Sequence, residues 1–83
     1  MLTGAQIRSA RHGLRWTVHN LAAYSKVSIS TIKRVEADDD VPTTSAKNLT
    51  AIKSALEAAG IEFIGTPDDA PGIRIHAYPP KPR

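Results

Sequence analysis

The sequence has no cysteine in its 83 residues, so it carries no disulfide framework and no thiolate metal site. Aromatic residues are scarce too. Trp16, Tyr24, Phe63 and Tyr78 are scattered, and they do not compose the stacking platform that RNA binders use. No apolar run approaches the roughly 20 residues of a membrane span, and the N-terminus lacks the basic, apolar, small-residue order of a secretory signal. A cytoplasmic location with no membrane partner is the expectation. Glycine-rich phosphate loops, nucleophile motifs and carboxylate pairs are missing as well. His12, His19 and His76 lie far apart, with no ligand or catalytic companion at motif spacing. No enzymatic activity, metal or cofactor is therefore expected.

One further absence is regional. Residues 1 to 35 contain no acidic side chain but six basic ones, Arg8, Arg11, Arg15, Lys26, Lys33 and Arg34. From Glu36 onward there are five basic and eight acidic residues, so the first segment carries +6 and the remainder −3. Such segregation points to a polyanionic partner. At this length the chain is one small domain with a modest core, which a second copy would help to stabilise.

The basic half centres on Val18 to Ala37, VHNLAAYSKVSISTIKRVEA. Leu21, Ala22, Val27, Ile32 and Val35 keep helical spacing on either side of a break at Ser25–Lys26. Two short helices around a tight corner follow, the first capped by Thr17 and running to Tyr24, the second capped by Ser28 and running from Ile29 to Ala37. Before them, Thr3 and Gln6 make a capping box for a helix from Gly4 to about His12, with Gly13 as its terminator. Ile7 and Ala10 face inward from it, and Trp16 is expected to plug the space between this helix and the next. The triplet Asp38–Asp40 with Val41 and Pro42 reads as a solvated loop. Thr43, Thr44 and Ser45 offer caps for a helix from about Ser45 to Ala59, whose inner stripe is Leu49, Ile52, Leu56 and Ala59. Gly60 stops it.

Beyond Gly60 the period changes to two. Ile61–Ile64 and Ile73–His76 alternate apolar with polar around the turn-rich GTPDDAPG, which predicts a β-hairpin. The organisation is thus a helical domain over 1–60, a hairpin over 61–78 and a flexible tail over 79–83. An isolated hairpin is marginal in water. It is expected to pack on the last helix and to pair with a second copy through Ile61, Phe63, Ile64, Ile73 and Ile75.

Residues 5 to 60 resemble the Cro and phage-repressor helix-turn-helix family, also called the XRE family. The likeness runs through IRSAR, TVHNLA, VSISTIKRVEA and NLTAIKSALEAAG in that order, and the ending LEAAGIEFIG…PGIRI resembles a bacterial subgroup with a short hairpin after its last helix. The resemblance implies a mainly α fold, a repressor-like bundle of four to five helices containing a helix-turn-helix and followed by the hairpin. It implies that the third helix enters the major groove of double-stranded DNA and that homodimers bind palindromic operators with half-sites about one helical turn apart. It also implies a salt bridge between Arg11 and Glu36. Three positions depart from the family pattern. Val18 stands where Gln is usual, and Lys26 and Arg15 stand where Gly is usual.

With Ile32 and Val35 turned inward, base contacts fall to Ile29, Ser30, Lys33 and Arg34. Lys33 can donate to guanine O6 and N7, Ser30 serves either base type, and Ile29 can pack on a thymine methyl or belong to the corner's core. Phosphate contacts fall to Thr17, Lys26, Ser28, Thr44, Lys47 and Asn48, setting register and affinity rather than sequence choice. The expected role is a small transcriptional regulator, a repressor because so little chain remains for an activation surface. The alternative is an antitoxin that binds a partner toxin and autoregulates its operon.

Overall fold

In a computed structural model of the protein, residues 1–77 are described. Four helices precede one antiparallel hairpin: α1 (Gly4–Gly13), α2 (Val18–Ser25), α3 (Ile29–Ala37), α4 (Ala46–Ala58), β1 (Ile61–Thr66) and β2 (Asp69–Ile75). The expected tail over 79–83 lies outside the described residues, as does Tyr78. No helix among the described residues is long and apolar enough to cross a membrane.

Each helix start has a local cause. Thr3 and Gln6 close a reciprocal capping box on α1, and Thr17 with Asn20 does the same on α2. Ser28 and Ser45 accept from the backbone N–H three residues on, opening α3 and α4. Between α2 and α3 the chain reverses at Lys26, in the left-handed conformation at φ 59°. The Ser25 hydroxyl donates to Leu21 O and accepts from Val27 N, so the corner's backbone groups are paired beneath it.

The core is one cluster. Ile7 and Ala10 of α1, Leu21 of α2, Ile32 and Val35 of α3, and Ile52 and Leu56 of α4 are all buried, and Leu2, Val27 and Ile61 close its margins. Leu49 and Ala59, expected on the inner stripe of α4, are only half-buried.

The hairpin docks on α1 through Gln6. Its Oε1 accepts from Thr3 N, while its Nε2 donates to Ile64 O at 3.1 Å and Gly72 O at 2.9 Å. One side chain thus caps a helix and ties down both strands.

Several expectations are corrected. Gly13 does not stop α1: the helix includes it, and the reversal falls on Arg15 at φ 58°. Gly13 instead leaves room for Ile75, whose Cδ1 would lie 2.6 Å from a Cβ there and would have to swing aside. Trp16 packs against the core, as expected, but is only half-buried. Arg11 Nη1 donates to Trp16 O across the turn after α1, and the indole stacks on Tyr24 with ring centroids 4.6 Å apart, lining a groove with Ala55 and Ala58 of α4 and its cap Ala59. The strands also run further into GTPDDAPG than alternation suggests. Only Pro67 and Asp68 form the turn, because a bulge between Ile64 and Thr66 lets pairing resume at Thr66 and Asp69.

Candidate functional site

Helix α3 divides cleanly. Ile32, Val35 and Glu36 are buried, whereas Ser30, Lys33, Arg34 and Ala37 are exposed on the opposite side. The polar side is thus short-chained at Ser30 and Ala37 and cationic at Lys33 and Arg34. Ile29 is half-buried, so it shares its surface between the corner and solvent. At 1.5 Å per residue the nine-residue helix is about 13 Å long.

The inward side of α3 is fixed to α1 by polar groups. Arg11 Nε donates to Glu36 Oε2 at 2.8 Å and its Nη2 to Glu36 Oε1 at 2.8 Å. The hydrogen bond to Glu36 is the main reason the guanidinium is held above its ordinary pKa, against a smaller opposing effect of burial. Arg8 adds a bond to Glu36 O and an ion pair to Asp39 at 2.7 Å. Gly4 N donates to Asp40 O, and a Cβ on Gly4 would lie 2.3 Å from Val35 O and 1.8 Å from Asp38 O. The end of α3 therefore meets α1 backbone to backbone.

These contacts sort the basic residues. Arg8 and Arg11 are engaged with carboxylates, while Arg15, Lys26, Lys33 and Arg34 form no ion pair among the described residues. The acidic triplet after α3 bends toward α1, where Asp39 meets Arg8 and Asp40 O meets Gly4 N. Its remaining carboxylates accept backbone N–H groups, Asp38 from Asp40 and Asp40 from Val41.

The other expected contact residues are not all equally free. Lys26 is exposed at the corner that leads into α3. Ser28 accepts from Thr31 N and donates to Thr31 Oγ1, so its proton is already committed. Thr17 Oγ1 accepts from Asn20 N, which leaves its own proton available. Asn48 Nδ2 donates to Thr44 Oγ1, which leaves the Thr44 proton and Asn48 Oδ1 available, and Lys47 is exposed. Helix α4 packs chiefly on α2, α1 and β1. Lys26, Ser28, Ile29, Ser30, Lys33 and Arg34 belong to the corner and α3, and Thr44, Lys47 and Asn48 to the start of α4.

The hairpin is less available to a second copy than its alternation suggests. Ile61, 3% exposed, closes into the protein's own core, and Phe63 and Ile73 pack partly against it. Ile61 is thereby withdrawn from any partner-facing role. On the opposite face Glu62 pairs with Arg74 and His76, flanking a half-buried Ile64. Ile75, on the inner side but beyond the core, is 54% exposed.

Spacing alone had no signal for the Arg8 bond to α3 or the Gln6 bonds to the hairpin, whose partners lie 28 to 66 residues away. Among the described residues no group of three His, Asp or Glu is placed to hold a metal ion. Family models, curated proteins and solved structures yield no match to this chain.

Proposed function

We propose that the chain is a helix-turn-helix protein that binds double-stranded DNA with α3 in the major groove and acts as a small transcriptional repressor. The observation that carries the reading is the exposed side of α3, where Ser30, Lys33 and Arg34 meet no carboxylate among the described residues. A helix about 10–12 Å across with its side chains, presented with its polar side outward, fits a groove about 12 Å wide. Lys33 and Ser30 read base edges, Arg34 reads bases or a flanking phosphate, and Lys26 and Thr17 hold phosphates. The Arg11–Glu36 pair and the Gly4 contact keep α3 at a fixed angle to α1, so the reading side chains approach as one rigid set.

One such helix touches few base pairs. Two copies on a palindromic site double the contacts, and Ile75, exposed beyond the core, is the hairpin side chain best placed to join them. Selection of bound duplexes from a random pool at moderate salt tests the reading. The expected product is a palindrome with half-sites about one helical turn apart. A protein that enriches no sequence and ignores duplex DNA at low ionic strength overturns it.

A further inference from the structure

The hairpin has two edges, and only one of them is closed. Antiparallel pairs alternate between those that exchange hydrogen bonds across the ladder and those whose N–H and C=O groups point outward. Gln6 Nε2 reaches both Ile64 O and Gly72 O, so these paired carbonyls face each other and not the outer edges. His76 N donates to Gly60 O, which keeps the same alternation further along the ladder. Ile64–Gly72, Glu62–Arg74 and Gly60–His76 are therefore the bonded pairs. Ile61, Phe63, Ile73 and Ile75 turn their backbone groups outward, where none has a hydrogen-bond partner among the described residues.

On β1 that edge is shut, because α4 packs against the strand and Ile61 is buried. On β2 it is open. Ile73 is half-buried, whereas Arg74, Ile75, His76 and Ala77 are all exposed. Beside β2 lies a shallow groove of about 110 Å³, lined from α1 by Ala5, Gln6 and Ser9 and by no residue of β1. Pro71 has no N–H to donate, so the open stretch runs from Ile73 to Ala77.

An unpaired row of N–H and C=O groups is a template for another strand. A second β2 fits it, since an antiparallel pair about a two-fold axis presents the same groups from both sides. With one edge open, association closes at two copies and does not propagate. Registers that keep the inner side chains on one face centre on Ile73, Arg74 or Ile75. Centring on Arg74 sets two arginines directly opposite each other, which is destabilising. Centring on Ile73 sets Ile75 against Pro71, which cannot donate. Centring on Ile75 sets Ile75 against its own copy, Ile73 against Ala77 and Arg74 against His76. This register also covers Ile75, the large hydrophobic side chain that the hairpin leaves exposed.

We infer that the outer edge of β2 is the docking site of a second copy's β2, paired antiparallel about Ile75 into a four-stranded sheet. The inference rests on the two-copy part of the reading above and names the surface that joins the copies.

The test needs no DNA. In the full chain, amide exchange at Ile75 is expected to be fast at low protein concentration and to slow as concentration rises. Arg74, bonded within its own hairpin, should be protected throughout. The chain has no cysteine, so single substitutions report the register cleanly. Across a hydrogen-bonded pair the Cα atoms are about 5.5 Å apart, within disulfide reach. Mild oxidation of Ile75→Cys should yield a covalent dimer faster than Ile73→Cys or Arg74→Cys does. An Ile75 amide that exchanges fast at every concentration overturns the proposal, and so does cross-linking that favours either of the other positions. Neither result bears on α3, since a monomer can still select a duplex and a paired sheet can form in a protein that ignores DNA.

Discussion

Arg11 and Glu36 meet through two charge-assisted hydrogen bonds across the α1–α3 contact, with 11% and 7% of their side-chain surfaces exposed. A pair this deep contributes little net stability over an apolar replacement, yet breaking it from one side leaves a buried charge alone. Arg11→Met should therefore destabilise the fold by about 3–5 kcal/mol. Arg11→Met with Glu36→Leu should recover most of that, short of about 1 kcal/mol for the lost bond to Trp16 O. Denaturant midpoints of the three proteins check this. The pH behaviour follows from the raised guanidinium pKa. Its contribution is fully present below the ordinary arginine value and is lost only as pH rises through the raised one. From neutral to moderately alkaline pH, this pair should produce no step in stability.

The helix starts, the corner at Ser25–Lys26 and the hairpin's existence were legible because caps, periodicity and turn residues act over a few positions. What was not legible acts over distance. Gln6 completes its cap with one end of its amide, and nothing local says that the other end holds two strands. Trp16 is large and apolar, which suggests a core plug, and it does pack against the core, but its half-exposed stack with Tyr24 beside the end of α4 is a contact that no local pattern announces. The alternation of Ile61, Phe63 and Ile73 marks a face to bury without saying which partner buries it.

Gly4 makes a sharper test of how α1 meets α3. A Cβ at this position collides with two backbone oxygens, Val35 O and Asp38 O, which cannot swing away as a side chain does. Gly4→Ala should cost about 1–3 kcal/mol or more through overpacking. Gly72→Ala is the control, since its Cβ would make only ordinary contact with Ile64 at 3.5 Å. That variant should stay within about 0.5 kcal/mol of the parent. Thermal unfolding of both proteins separates them.

Ile75 is the hairpin residue best placed to serve a second copy. Ile75→Glu puts a charge on a side chain already 54% exposed, which the monomer tolerates. If two copies join there, light scattering should show the variant as a monomer at concentrations where the parent is a dimer, with strand content retained. A dimer that survives the change moves the interface elsewhere.

Lys26 combines strain with charge. A non-glycine residue at φ 59° costs roughly 1–2 kcal/mol, and Lys26→Gly relieves it, offset in part by a freer unfolded chain. Stability should hold or rise slightly. Affinity for duplex DNA should fall, because the cation at the corner is gone, and the slope of log K against log salt should lessen by about 0.9 for one phosphate contact. Unchanged affinity with raised stability would show that Lys26 touches no phosphate.

Lys33 distinguishes reading from holding. It projects from the middle of the exposed side of α3 and has no ion-pair partner among the described residues. A lysine that donates to guanine O6 and N7 favours one base at one position of each half-site, by about 1–3 kcal/mol. Lys33→Ala should then relax preference at that position while the remaining positions keep theirs. If Lys33 instead meets a phosphate, the variant weakens binding to every sequence alike and leaves the selected motif unaltered. Repeating the duplex selection with Lys33→Ala discriminates the two, because only a base contact writes itself into a single column of the motif.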